Sequence, residues 1–376
     1  MKKILIFSAS IGNGHNQTAK AMQESLGEQG YSSMIIDTLE YVSPTFHKIL
    51  LESYMNLLRL SPKMWGKIYH NSERSRLIEI NVLMLLANKL KKLINSVKPD
   101  AFIATHPFAS CMLSVLKGRN NWSIPIYTII TDFTIHPSWI NHHIDYYFIA
   151  HEQLKYLIDI YREDPEKFKA MGIPIMKKFR EPLDKEKLRE TFGLKNNQKC
   201  ILLSGGGLGL GSMEKVLDGL NNIDLPLKTF VLTGKNQKLF RKVSKHTYRH
   251  EVVPLPFIDN VHEYLHVADL IVTKSGGLTT AEVLSKQVPM IVHNPLPGQE
   301  ERNSHFLLNN GCAVHATVSE QLIYFIRELL YNPIKVDHMK QMAKRIAKPN
   351  AAEDIARFIM EDMASKAVSK VPLGGE

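Results

Sequence analysis

Short, uninterrupted apolar runs, each followed by a loop and then by helical spacing, constrain this chain more than any other feature. A first series of such runs lies at 3–8, 32–36, 101–105, 126–131 and 146–150. A second series lies at 200–204, 228–233, 270–273, 290–293 and 312–316. Strands that are apolar on both faces and alternate with helices form parallel sheets covered on both sides. The sequence therefore predicts an α/β protein with two Rossmann-like domains.

The domain boundaries follow from the same pattern, and a length of 376 residues suits two domains. We assign 1–172 to the first domain, the charged and turn-rich segment 173–198 to a linker, and 199–350 to the second domain. A helix at 351–364 is expected to end the fold or to cross back to the first domain. The tail at 365–376 is expected to fray.

Composition excludes several classes of protein. The three cysteines, Cys111, Cys200 and Cys312, are far apart and odd in number, which argues against a disulfide scaffold or a zinc site and for a reducing, cytosolic setting. No apolar run is long enough to span a bilayer or to serve as a signal peptide. Lys and Arg exceed Asp and Glu, 47 to 37, so an anionic partner is expected.

The loop after the first strand places Gly12, Gly14 and His15 where α/β sheets bind ligands. Gly12 and Gly14, with Asp37 ending the second strand, also fit part of a dinucleotide fingerprint, but Gln17 replaces its third glycine. An imidazole at this place can act as a general base near neutral pH. The alternative is a histidine that only caps the helix and binds phosphate.

Three polar loops of the second domain follow strands and should lie at one edge of its sheet: 204–212, 274–282 and 294–303. Glycine amides at a helix N-terminus can approach a phosphate closely, although the first loop could also be only a flexible turn. Glu282 stands about one turn into a helix, where a carboxylate either accepts hydrogen bonds from a ribose diol or complements the helix dipole. The polar side chains of the third loop suit sugar hydroxyls.

The order of these motifs resembles the diacylglycerol glycosyltransferases of glycosyltransferase family 28, which include bacterial processive glucosyltransferases and plant monogalactosyldiacylglycerol synthases. The matching motifs are Gly-Asn-Gly-His at 12–15, the glycine-rich loop at 204–212, Lys-Ser-Gly-Gly-Leu-Thr at 274–279 with Glu282, and Pro-Gly-Gln-Glu at 297–300 with Asn303. Thr-Asp-Phe-Thr-Ile-His-Pro-Ser-Trp at 131–139 adds to the lipid-specific match. The resemblance extends from Ile4 to about Ala352.

The resemblance implies a GT-B fold, in which two Rossmann-like domains with parallel sheets face an interdomain cleft, and an inverting mechanism without a metal. His15 matches the family's base, and Asp132 is expected either to assist it or only to cap a turn. Positions that match donor contacts are Gly206 and Gly207 at the pyrophosphate, Phe257 and Ile258 at the uracil, Gly276, Gly277 and Thr279 at the second phosphate loop, Glu282 at the ribose, and Gln299, Glu300 and Asn303 at the sugar. Leu208 departs from the plant pattern, which has an acidic residue there, so a side-chain role at 208 stays open.

A basic and apolar stretch at 43–98 holds ten basic and three acidic residues. Its apolar side chains interleave with the charges at helical spacing, which is typical of a surface that lies on anionic lipid. The alternative is a pair of core-packed helices with a solvated basic face. The candidate acceptor and membrane residues are Gly14, Tyr54, Met64, Trp65, Lys67 and Tyr69. Nucleic acid is not expected, because no recognition motif accompanies the charge.

Together these features predict a peripheral enzyme on the cytoplasmic side of the cell membrane that transfers a hexose, glucose in the first instance, from a UDP-sugar to diacylglycerol. A second transfer to its own product is left open. Anionic membrane lipids are expected as partners, and no cofactor or metal is expected, since His136, His142, His143 and His151 do not complete a metal site. The alternatives are a polyprenyl-pyrophosphate acceptor, a UDP-sugar epimerase and a non-catalytic sugar-nucleotide sensor.

Overall fold

The chain folds into two compact units, each built around a six-stranded parallel sheet. The computed structural model of the protein describes residues 2–72, 89–205 and 213–368. The first unit comprises Met1–Lys177 and Lys348–Glu376, and the second comprises Lys178–Ala347. The predicted α/β class with two parallel sheets is confirmed.

The first unit contains six strands and the helices that cover them. Its strands are β1 (Lys3–Ser8), β2 (Ser32–Asp37), β3 (Ala101–Ala104), β4 (Ile126–Ile129), β5 (Tyr146–Phe148) and β6 (Phe168–Lys169). Its α-helices are α1 (Gly14–Glu28), α2 (Thr38–Val42), α3 (Pro44–Leu60), α4 (Pro62–Ser72), α5, described over 89–97, α6 (Pro107–Asn120), α7 (Lys155–Tyr161) and, near the end of the chain, α16 (Ala351–Val368). Short 3₁₀ turns lie at Pro137–Trp139, Glu152–Leu154 and Pro165–Lys167.

The strand order of the first sheet determines where its ligand site can lie. The order is β2-β1-β3-β4-β5-β6, with all pairs parallel. The chain runs from β1 outward to β2 and then returns to the other side of β1, so the order reverses between β1 and β3. Open α/β sheets bind ligands beyond the carboxyl ends of the strands at such a reversal. The loops that follow β1 and β3 are therefore the place to look.

Helix α16 belongs to the first unit, although it follows the second unit in sequence. Its Ile355 and Ile359 are fully buried in one apolar cluster with Ile4 of β1 and Met22 of α1. Burial of apolar surface is the main favourable term in packing of this kind. The helix predicted at 351–364 thus ends later, at Val368, and covers the first sheet together with α1.

The second unit repeats the plan. Its strands are β7 (Lys199–Ser204), β8 (Leu227–Gly234), β9 (Glu251–Pro256), β10 (Leu270–Thr273), β11 (Met290–His293) and β12 (Ala313–Ala316). Its helices are α8 (Lys185–Thr191), α9 (Met213–Leu220), α10 (Gln237–Lys245), α11 (Val261–Val267), α12 (Gly277–Lys286), α13 (Gln299–Asn309), α14 (Ser319–Tyr331) and α15 (Pro333–Ile346). A 3₁₀ turn at Lys177–Phe179 precedes them, so much of the segment predicted as a linker, 173–198, is structured.

The second sheet has the order β12-β11-β10-β7-β8-β9, again with all pairs parallel. Here the order reverses between β7 and β10. The loop after β10, with Ser275 and Gly276, therefore lies at the switch point of this sheet. Strand β7 ends beside this loop, but residues 206–212 after it, with Gly206, Gly207 and Leu208, lie outside the described residues.

Candidate active site

His15 stands at the start of α1, at the switch point of the first sheet. Its Nδ1 lies 2.7 Å from the carbonyl oxygen of Thr105 and 3.0 Å from Oγ1 of Thr131. A carbonyl oxygen can only accept a hydrogen bond, so Nδ1 carries the proton and donates it to Thr105. The neutral ring then keeps an unprotonated Nε2, which is the form that a general base requires.

Burial keeps this imidazole neutral. It lowers the pKa of His15 to about 4, and the hydrogen bond to the Thr105 carbonyl opposes the shift only in part. Loss of hydration penalises the charged imidazolium more than the neutral ring, which explains the direction. At pH 7 His15 is therefore uncharged and able to accept a proton.

Two aromatic side chains adjoin the His15 ring. The ring centroid of His106 lies 4.5 Å away in an edge-to-face arrangement, and that of Trp139 lies 6.2 Å away. Both side chains are buried. His106 follows β3 and Trp139 follows β4, so neighbouring strands deliver them to the same edge of the sheet.

The threonines that hold His15 come from the same two strand ends. Thr105 follows β3 and Thr131 lies just beyond β4, and both are buried. Asp132, the residue predicted to assist the base, is also buried, but the hydrogen bonds described for His15 go to Thr105 and Thr131. The role of Asp132 stays a prediction.

The Asp37 carboxylate anchors the loop before His15. One of its oxygens accepts hydrogen bonds from the main-chain N–H and the hydroxyl of Ser10, and the other accepts from the N–H groups of Leu39 and Glu40 at the start of α2. In a dinucleotide fold this carboxylate would bind the ribose. Here it is committed to the protein's own loop and helix, which removes the main support for a dinucleotide site.

The described residues contain one histidine–carboxylate group close enough to hold a cation: Asp37, Glu40 and His47, whose ligand atoms lie within 4.8 Å of one another. Because Asp37 already accepts hydrogen bonds from main-chain amides, we assign no metal to this group. His136, a metal candidate in the sequence, contacts the Ser138 hydroxyl and the Tyr69 carbonyl instead. The expectation of a metal-free enzyme stays a prediction.

In the second unit, the loop after β10 is tied to α13. The hydroxyl of Ser275 donates to the carbonyl oxygen of Glu300 at 2.6 Å, and Nδ2 of Asn303 donates to the carbonyl oxygen of Ser275 at 2.9 Å. Both Ser275 and Asn303 are fully buried. These bonds hold Gly276, the residue that caps α12, so the first amides of that helix are fixed in place, and a helix N-terminus of this kind can bind an anion. Asn303, predicted among the sugar contacts, thus binds the loop in this structure.

Glu300 and Gln299 lie at the start of α13, beside this loop. One carboxylate oxygen of Glu300 accepts from the N–H of Leu296 at 2.6 Å. The other lies 4.0 Å from the point where a Cβ on Gly276 would stand, so it borders the glycine turn. Burial lowers the pKa of Lys274 in the same loop, and the charge of Glu300 opposes that shift. Gln299 is the first residue of α13 and is partly exposed.

The remaining donor candidates follow strands of the same sheet. Thr279 lies in the first turn of α12, and Glu282 lies one turn further along. Burial raises the pKa of Glu282 to about 8, and the charge of Lys178 opposes the shift. Phe257 follows β9 with 48 % of its surface exposed, and Ile258 is half-buried. An exposed aromatic face of this kind can stack on a base.

The predicted membrane residues divide into outward and inward groups. Met64 and Lys67 of α4 are exposed, and Trp65 is half-buried. Tyr69, only 8 % exposed, packs inward on the ring of His136 at 4.4 Å, so its side chain is not part of the exposed face of α4, and its role toward the acceptor stays a prediction. Gly14 is the first residue of α1, and the side chain of Tyr54 lies outside the described part of the structure.

Comparison with solved structures establishes the fold of this chain. The chain resembles the crystal structure of Acinetobacter baumannii MurG, with a TM-score of 0.66 and 18 % identity over 96 % of this chain and 100 % of that one. It also resembles the UDP-GlcNAc 2-epimerase from Neisseria meningitidis bound to UDP-GlcNAc, with a TM-score of 0.62 and 15 % identity over 96 % of this chain and 100 % of that one. Identities this low establish the fold alone.

Family models and a curated relative are more specific. The monogalactosyldiacylglycerol synthase model matches residues 15–175, and the glycosyltransferase family 28 C-terminal domain matches residues 201–357. A processive diacylglycerol beta-glucosyltransferase of Bacillus pumilus (strain SAFR-032) is 29 % identical over 367 residues, which are 96 % of this chain and 95 % of the relative. The two models together account for both units. The chain therefore belongs to the diacylglycerol glycosyltransferases of family 28, and it is a glycosyltransferase with the GT-B fold.

Proposed function

We propose that this protein transfers a hexose, glucose in the first instance, from a UDP-sugar to the free hydroxyl of diacylglycerol, with inversion at the anomeric carbon. The observation that carries the proposal is the state of His15, whose Nδ1–H is anchored on Thr105 and whose Nε2 is unprotonated. The acceptor class is supported by the synthase model over the first unit and by the name of the Bacillus relative.

The transfer is a single displacement. The acceptor oxygen attacks the anomeric carbon, the bond from that carbon to the diphosphate oxygen breaks, and its electron pair leaves with UDP. The proton of the acceptor hydroxyl moves to Nε2 of His15. The imidazolium that forms keeps its Nδ1–H on the Thr105 carbonyl, with the Thr131 hydroxyl beside it, so an existing pair of oxygens stabilises the new charge.

The charge that develops on UDP calls for fixed dipoles. We assign this task to the first amides of α12, which Gly276 and Gly277 present, with the Lys274 side chain in the same loop. The sequence contains no Asp-x-Asp motif of the kind that binds a metal-chelated diphosphate. Helix dipoles and glycine amides supply the stabilisation in our proposal, and no metal takes part.

The same unit offers groups for the rest of the donor. We assign Phe257 to the uracil, Glu282 to the ribose diol, and Gln299 and Glu300 to the sugar hydroxyls. The loops that carry these residues follow β9, β10 and β11, whose carboxyl ends lie at one edge of a parallel sheet. The solved epimerase of this fold holds UDP-GlcNAc, which supports a UDP-sugar as the donor class.

Membrane association is supported by the outward face of α4. Met64 and Ile68, one helical turn apart, expose 52 % and 46 % of their surface, and Lys63 and Lys67 are exposed beside them. Alternating apolar and basic side chains on an exposed helix face suit the surface of an anionic bilayer. No helix in the described ranges has both the length and the hydropathy that a bilayer span requires. We propose peripheral binding at the cytoplasmic face of the cell membrane.

The proposal includes a second transfer to the glycolipid product. The first product still carries free hydroxyl groups, now on its sugar, so the same base and the same displacement apply to it. The word "processive" in the name of the Bacillus relative supports this step. Two products of increasing sugar content are therefore expected.

The test is a transfer assay with the purified full-length protein, liposomes that contain diacylglycerol, and labelled UDP-glucose or UDP-galactose in separate reactions. We expect labelled glycosyl diacylglycerol from UDP-glucose, with the β configuration. The His15→Ala variant should lose transfer by at least about a hundredfold, since general bases contribute 10²–10⁴-fold. It should still bind UDP in calorimetry.

Other outcomes would contradict the proposal. Label found only in a polyprenyl-pyrophosphate lipid, offered in parallel liposomes, would identify a different acceptor. Conversion of the UDP-sugar without an acceptor would identify an epimerase, and binding without any product would identify a sensor. Loss of activity on treatment with a chelator would refute the metal-free mechanism.

A further inference from the structure

Histidine recurs as a helix cap in the first unit. Three successive strands, β3, β4 and β5, are each followed by a histidine whose Nδ1 accepts the N–H two residues later. The pairs are His106 with Phe108 at 3.1 Å, His136 with Ser138 at 3.2 Å and His151 with Gln153 at 3.2 Å. Ser, Thr, Asp and Asn are the residues that usually cap helices. A histidine in the capping position therefore needs an explanation other than the capping hydrogen bond.

For His106, the contacts of its ring give this explanation. Its side chain is 4 % exposed, and its ring lies edge-to-face against the ring of His15 at 4.5 Å. Its own ring is stacked on that of Phe108 at 5.3 Å, with planes 11° apart. The His106 ring is thus fixed by its cap and by Phe108, and it forms one wall of the space that His15 occupies.

The capping hydrogen bond also determines the tautomer of His106 and favours its neutral form. Its Nδ1 lone pair accepts the Phe108 N–H, so the neutral ring carries its proton on Nε2. A proton on Nδ1 would remove the cap of α6, which typically contributes about 1 kcal/mol. Burial and the neighbouring His15 act in the same direction, because both lower the pKa of His106. The base therefore has an uncharged ring beside it.

We propose that His106 is a positioning residue for the base. Its ring holds the plane of His15, so that Nε2 keeps its direction while Nδ1 is bound, and it keeps water and charge away from that face of the imidazole. The other groups at His15 are the Thr105 carbonyl, the Thr131 hydroxyl and the Trp139 ring, with Asp132 next in sequence to Thr131. The inference rests on the proposed role of His15 as the base.

Two substitutions distinguish the effect of the His106 ring from the effect of its capping hydrogen bond. His106→Asn keeps a side-chain acceptor for the Phe108 N–H, and Asn is among the best capping residues, but it removes the ring. His106→Phe keeps a ring against His15 but has no acceptor for the cap. If the ring positions the base, the Asn variant should still fold and unfold cooperatively, although loss of the buried ring lowers its melting temperature, and it should lose about tenfold or more in kcat, with KM for UDP-glucose unchanged. The Phe variant should melt at a lower temperature and keep kcat within about threefold per folded molecule.

The pH profile gives a readout that a purely structural role would not move. In the wild type, the basic form of His15 persists down to a pKa of about 4, so His15 should cause no fall in kcat/KM between pH 8 and pH 5. In His106→Asn, water fills the space of the ring and hydrates the imidazolium, which raises the pKa of His15 toward its ordinary value. The fall in kcat/KM on the acid side should then begin about one pH unit higher or more.

Wild-type kcat and an unshifted pH profile in His106→Asn would overturn the inference. It would also be overturned if the folded Phe variant lost as much kcat as the Asn variant, because a ring against His15 would then not be sufficient to keep the base in place. A failure of the proposed function is recognised separately, since in that case the wild type itself would not transfer glucose to diacylglycerol.

Discussion

The His15 imidazole is held at Nδ1 by two oxygen atoms of different kind. Thr105 offers a main-chain carbonyl, which no substitution removes, whereas Thr131 offers a hydroxyl, which a substitution can delete. The carbonyl fixes the tautomer, because it can only accept. In the proposed mechanism, the hydroxyl adds orientation and a second dipole beside the charge that forms on His15 during transfer.

The Thr131→Val substitution tests this division of roles. Valine keeps the shape of threonine but lacks the hydroxyl, so one hydrogen bond to His15 is lost, at about 1 kcal/mol. We expect kcat to fall about fivefold and KM for UDP-glucose to stay the same, as measured in the liposome assay. Thr131→Ser, which keeps the hydroxyl, is the control. Equal rates for Val and Ser would show that the Thr105 carbonyl is sufficient.

Glu282 should make the stability of the second unit depend on pH. Burial raises the pKa of Glu282 to about 8 in the folded protein, against about 4.5 for an unperturbed glutamate. Between these values the folded state holds a proton that the unfolded state releases, so the free energy of unfolding falls as the pH rises. Below about pH 4.5 both states are protonated and the contribution of Glu282 is fully present.

The matched variant is Glu282→Gln, which does not titrate. Its melting temperature relative to the wild type should rise as the pH increases from 5 to 8, with a difference in the free energy of unfolding of at least about 1 kcal/mol, since one pKa unit corresponds to about 1.4 kcal/mol. Circular dichroism melts across this range measure it. A difference that is constant with pH would mean that Glu282 is ionised in the folded protein. The same variant should bind UDP more weakly if Glu282 contacts the ribose.

Single residues also show how far sequence reasoning reaches. The glycines before His15 and the helix after it indicate from the sequence alone that His15 is a candidate site residue. The contacts of Thr105 and Thr131 with His15 could not be predicted in this way, because they depend on β1, β3 and β4 being neighbours in the sheet. Tyr69 was predicted as an acceptor or membrane contact from its place on an amphipathic helix, yet its side chain is buried. Helical spacing reveals that a helix has two faces but does not tell which face a polar or aromatic residue joins.

At the scale of elements, α4 combines two roles along its length. Its inward residue Tyr69 packs on His136, in the segment that also places Thr131 and Trp139 beside His15. Its outward residues Met64 and Ile68 are exposed. A helix that packs on one face and exposes apolar side chains on the other is suited to lie between the protein and a lipid surface.

Substitution of the outward residues tests this role. The double variant Met64→Ser, Ile68→Ser should bind liposomes with about 30 % anionic lipid at least about fivefold more weakly, because each removes apolar area from the bilayer contact. Its transfer to a short-chain diacylglycerol in detergent should stay near that of the wild type. Ile334→Ser in α15, where the side chain is 82 % exposed, is the control for loss of an exposed apolar residue elsewhere. Equal liposome binding by all three proteins would refute the assignment of α4.

The elements themselves were largely predictable. Fully buried strands appear in sequence as continuous apolar runs, and the run at 270–273 coincides with β10. β6, with only Phe168 and Lys169, is too short to form a run and was not predicted. Its pairing with β5 comes from the fold around it and not from local preference.

At the scale of the whole chain, the first unit is closed by two segments that are far apart in sequence. The chain leaves this unit after Lys177 and returns to it at Lys348. Gly172 lies where the two passages meet: a Cβ at this position would stand 2.4 Å from the Cβ of Lys348 and 3.0 Å from that of Ala351, the first residue of α16. Its φ of +99° is also a conformation that residues with a side chain rarely adopt.

The docking of α16 depends on this approach. Beyond Ala351 the helix buries Ile355 and Ile359 in the core, and Asp362 accepts a hydrogen bond from the buried Tyr127 hydroxyl. A side chain at 172 would clash with the Cβ atoms of Lys348 and Ala351, which are fixed to the main chain and cannot rotate away, and the positive φ at 172 adds strain. The effect should therefore be a loss of stability of the first unit as a whole and not a local change in a loop.

We expect Gly172→Ala to lower the free energy of unfolding of the first unit by about 2 kcal/mol or more, because φ strain and the clash with the Cβ atoms of Lys348 and Ala351 act together. All three tryptophans of the protein, Trp65, Trp122 and Trp139, belong to this unit, so their fluorescence during urea unfolding reports on it alone. The control is Gly27→Ala in the last turn of α1, where a Cβ meets nothing within 4 Å. Alanine there should be neutral or stabilise by up to about 1 kcal/mol. Equal urea midpoints for the two variants would mean that the return of the chain at Lys348 does not depend on Gly172, and that α16 is held by its apolar face alone.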